Sequence, residues 1–169
     1  MRVPAENLIG EPEEGFMQAL RVLDAGRVGI AAWCCGIGRG ALEESIECVR
    51  RRAAQGAPAG EIQAARLALA DLATRLDAAR LLLQRAAYLR DQGRRFRTEA
   101  SMAKLLASEA AMAATTRAVQ LHGVDGTLRD APVERYLRDA KLGEIGEGTS
   151  EVQRMVIARA LLKGAMASL

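Results

Sequence analysis

Leu69, Leu72, Leu76, Ala79, Leu83 and Ala86 follow one another at spacings of three and four. That is the period of a single helix face turned toward a core, and it predicts a long helix ending near Gly93. Half of the residues are hydrophobic but only 3% are aromatic. The core must therefore be built from Ala, Leu, Val, Ile and Met, the palette of close-packed helices. At 169 residues the chain is long enough for one domain with a real core and too short for two comfortable ones.

The rest of the chain reads the same way. Helical patterning starts at Phe16, with Leu20 and Leu23 on its face, and an apolar stretch runs from Val28 through Cys48 to Arg50, Arg51 and Arg52. Gly36, Gly38 and Gly40 cost helix propensity there, so close approach of a neighbouring helix is the expected reason for them. They do not form a phosphate loop, because GIGRG is embedded in a helical pattern with no strand before it. The run Gln55 to Gly60 breaks the chain before the Leu69 helix. A third helix is predicted from about Thr98 to His122, with Met102, Leu105, Leu106, Ala110 and Ala113 as its apolar face. Val124 to Ala131 reads as a loop, and Pro132 suits the first turn of a short helix through Lys141. The last helix is expected from Ser150 to near Gly164, with Ser150 and Gln153 as a capping box. The sum is an all-α, up-and-down, antiparallel four-helix bundle over residues 13–169. Residues 1–12 form an extended arm punctuated by Pro4, Gly10 and Pro12.

Several functional classes fall away. The 24 basic and 21 acidic residues are mixed along the chain. The densest basic clusters, Arg50 to Arg52 and Arg94, Arg95 and Arg97, fall at predicted helix ends, where cations favour the dipole. No nucleic-acid partner is expected. Cys34, Cys35 and Cys48 have neither a metal-type nor a disulfide-framework spacing, so they read as buried thiols in a reducing compartment, with no metal site. No apolar stretch reaches membrane-spanning length and no leader is recognisable, so the expected location is cytoplasmic, with no membrane partner.

One stretch resists a purely structural reading. The last helix is entered through Gly146-Glu147-Gly148-Thr149-Ser150, one carboxylate between two glycines. A helix start carries unpaired N–H groups and partial positive charge, which suit a polar or anionic ligand group. Flanking glycines let a ligand approach the backbone and leave the carboxylate uncrowded, as a positioned base requires. The competing reading, a surface glutamate in a turn that merely caps a helix, fits the composition equally well.

The run RDAKLGEIGEGTSEVQRMVIARALL, Arg138 to Leu162, resembles the C-terminal signature of the acyl-CoA dehydrogenases. The likeness continues through RVPAENLIGE, LDAGRVGIAA, LADLATRLDAARLLLQRAAYL, AAMAATTRAVQLHG and PVERYLRDAK, in order along the chain. In that family the C-terminal domain is a four-helix bundle, preceded by a helical domain and a middle β-domain. The arm resembles the end of the middle domain, which implies that more than half of a typical member lies outside this sequence.

The resemblance implies oxidation of an acyl-CoA thioester to the trans-2-enoyl-CoA with FAD, a glutamate removing a Cα proton while hydride passes from Cβ to the flavin. By its match to the EGTSE motif Glu147 is the candidate base, and its own N–H would donate to the thioester carbonyl as enolate charge develops. Some relatives carry the base beside the arginine of an LDxxR pattern; Gly26 stands there in this chain. Asp24, Ala25, Gly26, Arg27 and Gly148 match substrate-contacting positions, although Asp24 and Arg27 also read as an intrahelical ion pair. Arg52 and Gln63 match residues that reach the FAD of a neighbouring subunit. Gln120, Leu121, His122, Gly123 and Val124 match a cofactor loop, and Thr149, Ser150 and Glu151 a cofactor-contacting turn. His122, the single histidine, receives no catalytic role. Implied partners are acyl-CoA, an electron-transfer flavoprotein, and further copies of the chain in a dimer or tetramer, or a complementing dehydrogenase chain.

The pattern also departs from the family. Gly146 replaces an aromatic, Ala54-Gln55-Gly56 lacks the expected phenylalanine, and Val124 with Asp125 replaces glycine near the cofactor phosphates. Each change is expected to weaken FAD binding. With most of the pocket outside these residues, little activity is expected from the chain alone. A second reading, from another class, is a non-catalytic helical module that oligomerises or docks onto a partner flavoprotein subunit.

Overall fold

The computed structural model describes residues 2–164. Among them no strand occurs, and five helices make the bundle: α1 (Gly15–Ala54), α2 (Ala59–Asp91), α3 (Arg97–His122), α4 (Pro132–Ile145) and α5 (Ser150–Leu162). The all-α expectation holds. The exposed N-terminal segment is extended at Pro4 and Leu8, with a single 3-10 turn, Ala5–Asn7, between them. Val124 to Ala131, read as a loop, opens with another 3-10 turn, Gly123–Thr127.

The two longest helices end in the same way. Gly56 (φ 82°) follows α1 and Gly93 (φ 66°) follows α2, both in the left-handed region that favours glycine. After α1 the amide of Gly56 donates to Ala53 O and that of Ala57 to Arg52 O. After α2 the amide of Gly93 donates to Arg90 O and that of Arg94 to Leu89 O. Each is a Schellman closure, so the chain reverses within a few residues and successive helices lie side by side.

α3 packs on all of the other four helices. Its buried stripe is made almost wholly of small residues: Ala100, Ala103, Ala107, Ala111, Ala114 and Ala118 have no exposed surface. The expected face of Met102, Leu105, Leu106 and Ala113 is instead half-buried, flanking that stripe, and only Ala110 of the named set is in the deep core. The reason is distance. Large side chains suit a helix rim, whereas small ones let backbones approach. α1 answers with Ala31, Cys34, Gly38 and Ala41, all buried.

The three glycines of α1 separate into different roles. A Cβ on Gly38 would overlap a methyl of Leu76 on α2 and lie 3.4 Å from Ala111 Cα on α3, so three helices converge at this point. A Cβ on Gly40 would lie 3.4 Å from the Tyr136 ring of α4. A Cβ on Gly36 would meet nothing within 4 Å beyond its own helix, so close packing does not explain it.

All three cysteines are free, with Cys34 and Cys48 buried. Burial pushes the Cys34 thiol up to about 11, partly offset by the nearby Lys104. No described helix is long and apolar enough to cross a membrane.

Substitution in the GIGRG run should separate the two kinds of glycine. Gly36→Ala, in open space, is expected to raise stability by up to about 1 kcal/mol through helix propensity. Gly38→Leu is expected to lower it by about 1–3 kcal/mol through overpacking. Urea midpoints of the two variants against the parent chain measure both.

Candidate active site

Gly146 leaves α4 with extended backbone (φ −61°, ψ 150°), and the chain then turns through two consecutive left-handed residues, Glu147 (φ 56°) and Gly148 (φ 94°). The glycine conformation thus falls on one glycine and on the glutamate itself, at a cost of order 1–2 kcal/mol for a residue bearing a Cβ. Thr149 is the N-cap of α5, its hydroxyl accepting from the Val152 amide at 3.5 Å. The expected capping box of Ser150 and Gln153 does not form. Ser150 is one residue too late to cap, and its buried Oγ has no partner. Gln153 is fully buried and turns back, its Nε2 donating to Glu147 O at 3.1 Å and Gly148 O at 2.9 Å.

The Glu147 carboxylate lies on the backbone of α1. A Cβ built on Gly26 would come 2.5–2.8 Å from its carboxylate atoms, so the missing side chain at 26 is the space that the carboxylate fills. Oε2 is enclosed and has no hydrogen-bond partner. Arg27 Nε, Ser150 Oγ and Gln153 Oε1 are likewise buried and unpartnered. Such atoms are few in a folded protein, and a cluster of them marks polar capacity that the fold itself leaves unused.

Arg27 is buried, and its Nη1 donates to Asp24 at 2.7 Å, the intrahelical pair that the spacing suggested. Arg97 also reaches Asp24, at 3.4 Å. Burial lowers the Arg27 pKa from its ordinary value, opposed chiefly by Asp24 and also by Glu147. Ala25 is half-buried on the same turn of α1.

Beside Asp24 opens a cleft of about 790 Å³, lined among others by Arg94, Arg95, Arg97, Arg159 and Lys163. The Arg94 to Arg97 cluster, read from sequence as a solvated helix end, therefore forms one wall of a basic cleft whose other wall is the end of α5. The meeting of these two walls is invisible in the sequence, because 60 or more residues separate them.

The remaining named residues gather at the other end of the bundle. Arg52 Nη1 donates to Leu121 O at 3.3 Å and pairs with Glu61. Arg52, Glu61, Gln120 and Leu121 line a smaller cleft of about 210 Å³. Gln63 is exposed near the start of α2. His122 has its Nδ1 2.8 Å from Ala118 O, a contact within its own helix. Gly123 keeps a glycine conformation (φ 65°, ψ −140°), while Val124 is exposed on the 3-10 turn. Arg27 and Arg52 lie about 38 Å apart along α1 at 1.5 Å per residue. The structure thus brings Asp24, Ala25, Gly26, Arg27 and Glu147 to Glu151 together at one end and Arg52, Gln63 and Gln120 to Val124 at the other.

One residue at the first end escaped the sequence reading. Lys104 of α3 has no exposed surface, and its Nζ donates to Gly148 O at 2.7 Å. Burial lowers its pKa from the ordinary lysine value, opposed by Cys34, Glu144 and Glu151. The available signal was its register: Lys104 is three and four residues from Ala100, Ser101, Ala107 and Ser108, all of them buried small residues.

The family model for the acyl-CoA dehydrogenase C-terminal domain matches residues 13–162. The chain is 51% identical over 163 residues to the probable acyl-CoA dehydrogenase YngJ of Bacillus subtilis, covering 96% of this chain and 43% of that protein. It is 49% identical over 162 residues to the mitochondrial short-chain specific acyl-CoA dehydrogenase of Bos taurus, covering 96% and 39%. Among solved structures it resembles butyryl-CoA dehydrogenase from Megasphaera elsdenii, with a TM-score of 0.90 and 44% identity over 95% of this chain and 42% of that one. The chain spans about two fifths of the length of these relatives. On the combined evidence of helical topology, the EGTSE turn and this similarity, the chain belongs to the acyl-CoA dehydrogenase family, within its C-terminal helical domain.

Proposed function

We propose that this chain supplies the base-bearing helical domain of an acyl-CoA dehydrogenase-type flavoprotein, which carries out α,β-dehydrogenation of an acyl-CoA thioester with Glu147 as the base. The observation that carries this reading is the Glu147 carboxylate seated on Gly26, with an enclosed, unpartnered Oε2 amid other unpartnered polar atoms. A carboxylate held this way has a free lone pair and a fixed direction, as abstraction of a Cα proton needs. Asp24 and Arg27 border it on α1. The basic cleft beside Asp24 suits the phosphates of the anionic carrier, so the thioester end would reach Glu147 while Arg95, Arg97, Arg159 and Lys163 neutralise the other.

The residues fit FAD as two half-sites. The orphaned Ser150 hydroxyl and the N-terminus of α5 form one half, with Thr149 and Glu151 beside them. Arg52, Gln63 and Gln120 to Val124 would form the other, where Gly123 has a glycine conformation although Val124 stands where the family has glycine. Bound there, FAD would supply the acceptor for the Cβ hydride. One flavin at the Glu147 end does not reach a cluster about 38 Å away along α1. The family resemblance implies that Arg52 and Gln63 serve a flavin held by another copy, and this separation agrees with it, which makes a homo-oligomer part of the proposal. An electron-transfer flavoprotein is the proposed acceptor, and the cytoplasm, reducing enough for three free thiols, the proposed location.

The central test joins this chain to the N-terminal part of its Bacillus subtilis relative and measures acyl-CoA oxidation and visible flavin absorbance. Glu147→Gln is expected to lower turnover about 10²–10⁴-fold with flavin content unchanged; undiminished turnover would remove Glu147 as the base. Gly26→Ala places a methyl where the carboxylate sits, and kcat should fall while flavin content holds. The double change Arg95→Glu and Arg159→Glu should raise KM for acyl-CoA about tenfold or more, an effect that added salt would blunt. A KM that stays put would place the phosphates elsewhere.

A further inference from the structure

A lysine with no exposed surface is rare, and its three donors need partners inside the protein. Lys104 has Gly148 O at 2.7 Å, and among the described residues it makes no salt bridge within 4.0 Å. Its ammonium is therefore spent on a backbone carbonyl. An apolar residue among Ala100, Ala103 and Ala107 would pack there without desolvating a charge, so the lysine calls for a reason beyond packing.

The carbonyl it holds belongs to a turn that needs holding. Glu147 and Gly148 are both left-handed, and a Cβ-bearing residue leaves that region unless its surroundings fix it. Gln153 Nε2 from α5 donates to the carbonyls of both residues, and Lys104 Nζ from α3 adds a charged donor to the second. The two anchors come from different helices, so the peptide plane between Gly148 and Thr149 is fixed in two directions. The Glu147 side chain then has α1 as its third support, at Gly26.

We propose that Lys104 is a positioning residue for the Glu147 base, acting through the Gly148 carbonyl to hold the turn in its left-handed form. This rests on Glu147 being the base. Misplacement of a base by about 1 Å costs on the order of 10²-fold in rate, so a clamp of this kind matters to the chemistry although it touches no reactant.

The test needs neither flavin nor thioester. In the isotopically labelled 169-residue chain, the Lys104 ¹⁵Nζ signal is expected in slow exchange, with a through-hydrogen-bond coupling to the Gly148 carbonyl carbon. Lys104→Met should keep the helical circular dichroism while the Glu147, Gly148 and Thr149 amide signals shift and broaden. Lys104→Gln, which keeps an N–H donor, should restore them at least in part. Absence of the coupling in the parent chain, or unchanged turn signals in Lys104→Met, overturns the proposal. If Lys104→Met does not fold, the parent coupling and Lys104→Gln still decide it. Failure here leaves the Glu147→Gln activity test untouched, and loss of the base assignment leaves the measured clamp standing without its catalytic purpose.

Discussion

Close approach of backbones along α3 is the constraint on which the other features depend. Six alanines of α3 with no exposed surface, facing Ala31, Cys34, Gly38 and Ala41 of α1, bring the helices near enough for Lys104 of α3 to reach Gly148 and for Glu147 to lie against α1. Larger residues on that stripe would spread the bundle, and contacts a few ångströms long between three elements would be lost together. The scarcity of aromatic side chains follows from the same geometry, since a flat ring needs more room than these interfaces leave.

Polar groups are then used sparingly in the core. Most buried hydroxyls of the bundle serve their own helix, as when Ser45 donates to Ala41 O and Thr115 to Ala111 O. Several exceptions gather around the α4–α5 turn, where Lys104 and Gln153 bind backbone carbonyls and Glu147, Ser150 and Arg27 keep atoms unpartnered, while Ser101 Oγ on α3 is a further unpartnered atom. Backbone strain, buried charge and unused hydrogen-bond capacity coincide at a single turn. Each would be destabilising alone, and their coincidence favours the proposed site over a plain helix cap.

Much of this was legible beforehand, because helices announce themselves locally. The three-and-four spacing of Leu69, Leu72, Leu76, Ala79, Leu83 and Ala86 marked the core face of α2, with Leu69 and Leu83 half-buried at its edge, and the Gly56 and Gly93 stops appeared where glycine punctuation put them. The EGTSE turn marked Glu147, and the LDAGR match marked the segment around Gly26. The depth order within α3 was not legible: Met102 and Leu106 are more apolar than Ala103 and Ala107 yet lie outside them, because interhelical distance rather than hydropathy chooses the innermost residues. The capping assignment slipped by one residue, from Thr149 to Ser150, since both can cap and only backbone angles decide between them.

By itself, then, the amino-acid order determined most of the secondary structure, the all-α class and the family, and it singled out the glutamate proposed as the base, all of which depend on neighbours within a few turns or on a contiguous motif. The tertiary structure alone decided what distant segments do together. It joined Arg94 to Arg97 with Arg159 in one basic cleft, seated Glu147 in the gap at Gly26, and turned Lys104 inward as an anchor. It also set the two groups of named residues at opposite ends of α1. These outcomes rest on which helix faces meet and how closely, and that is a property of packing in three dimensions rather than of any local stretch of chain.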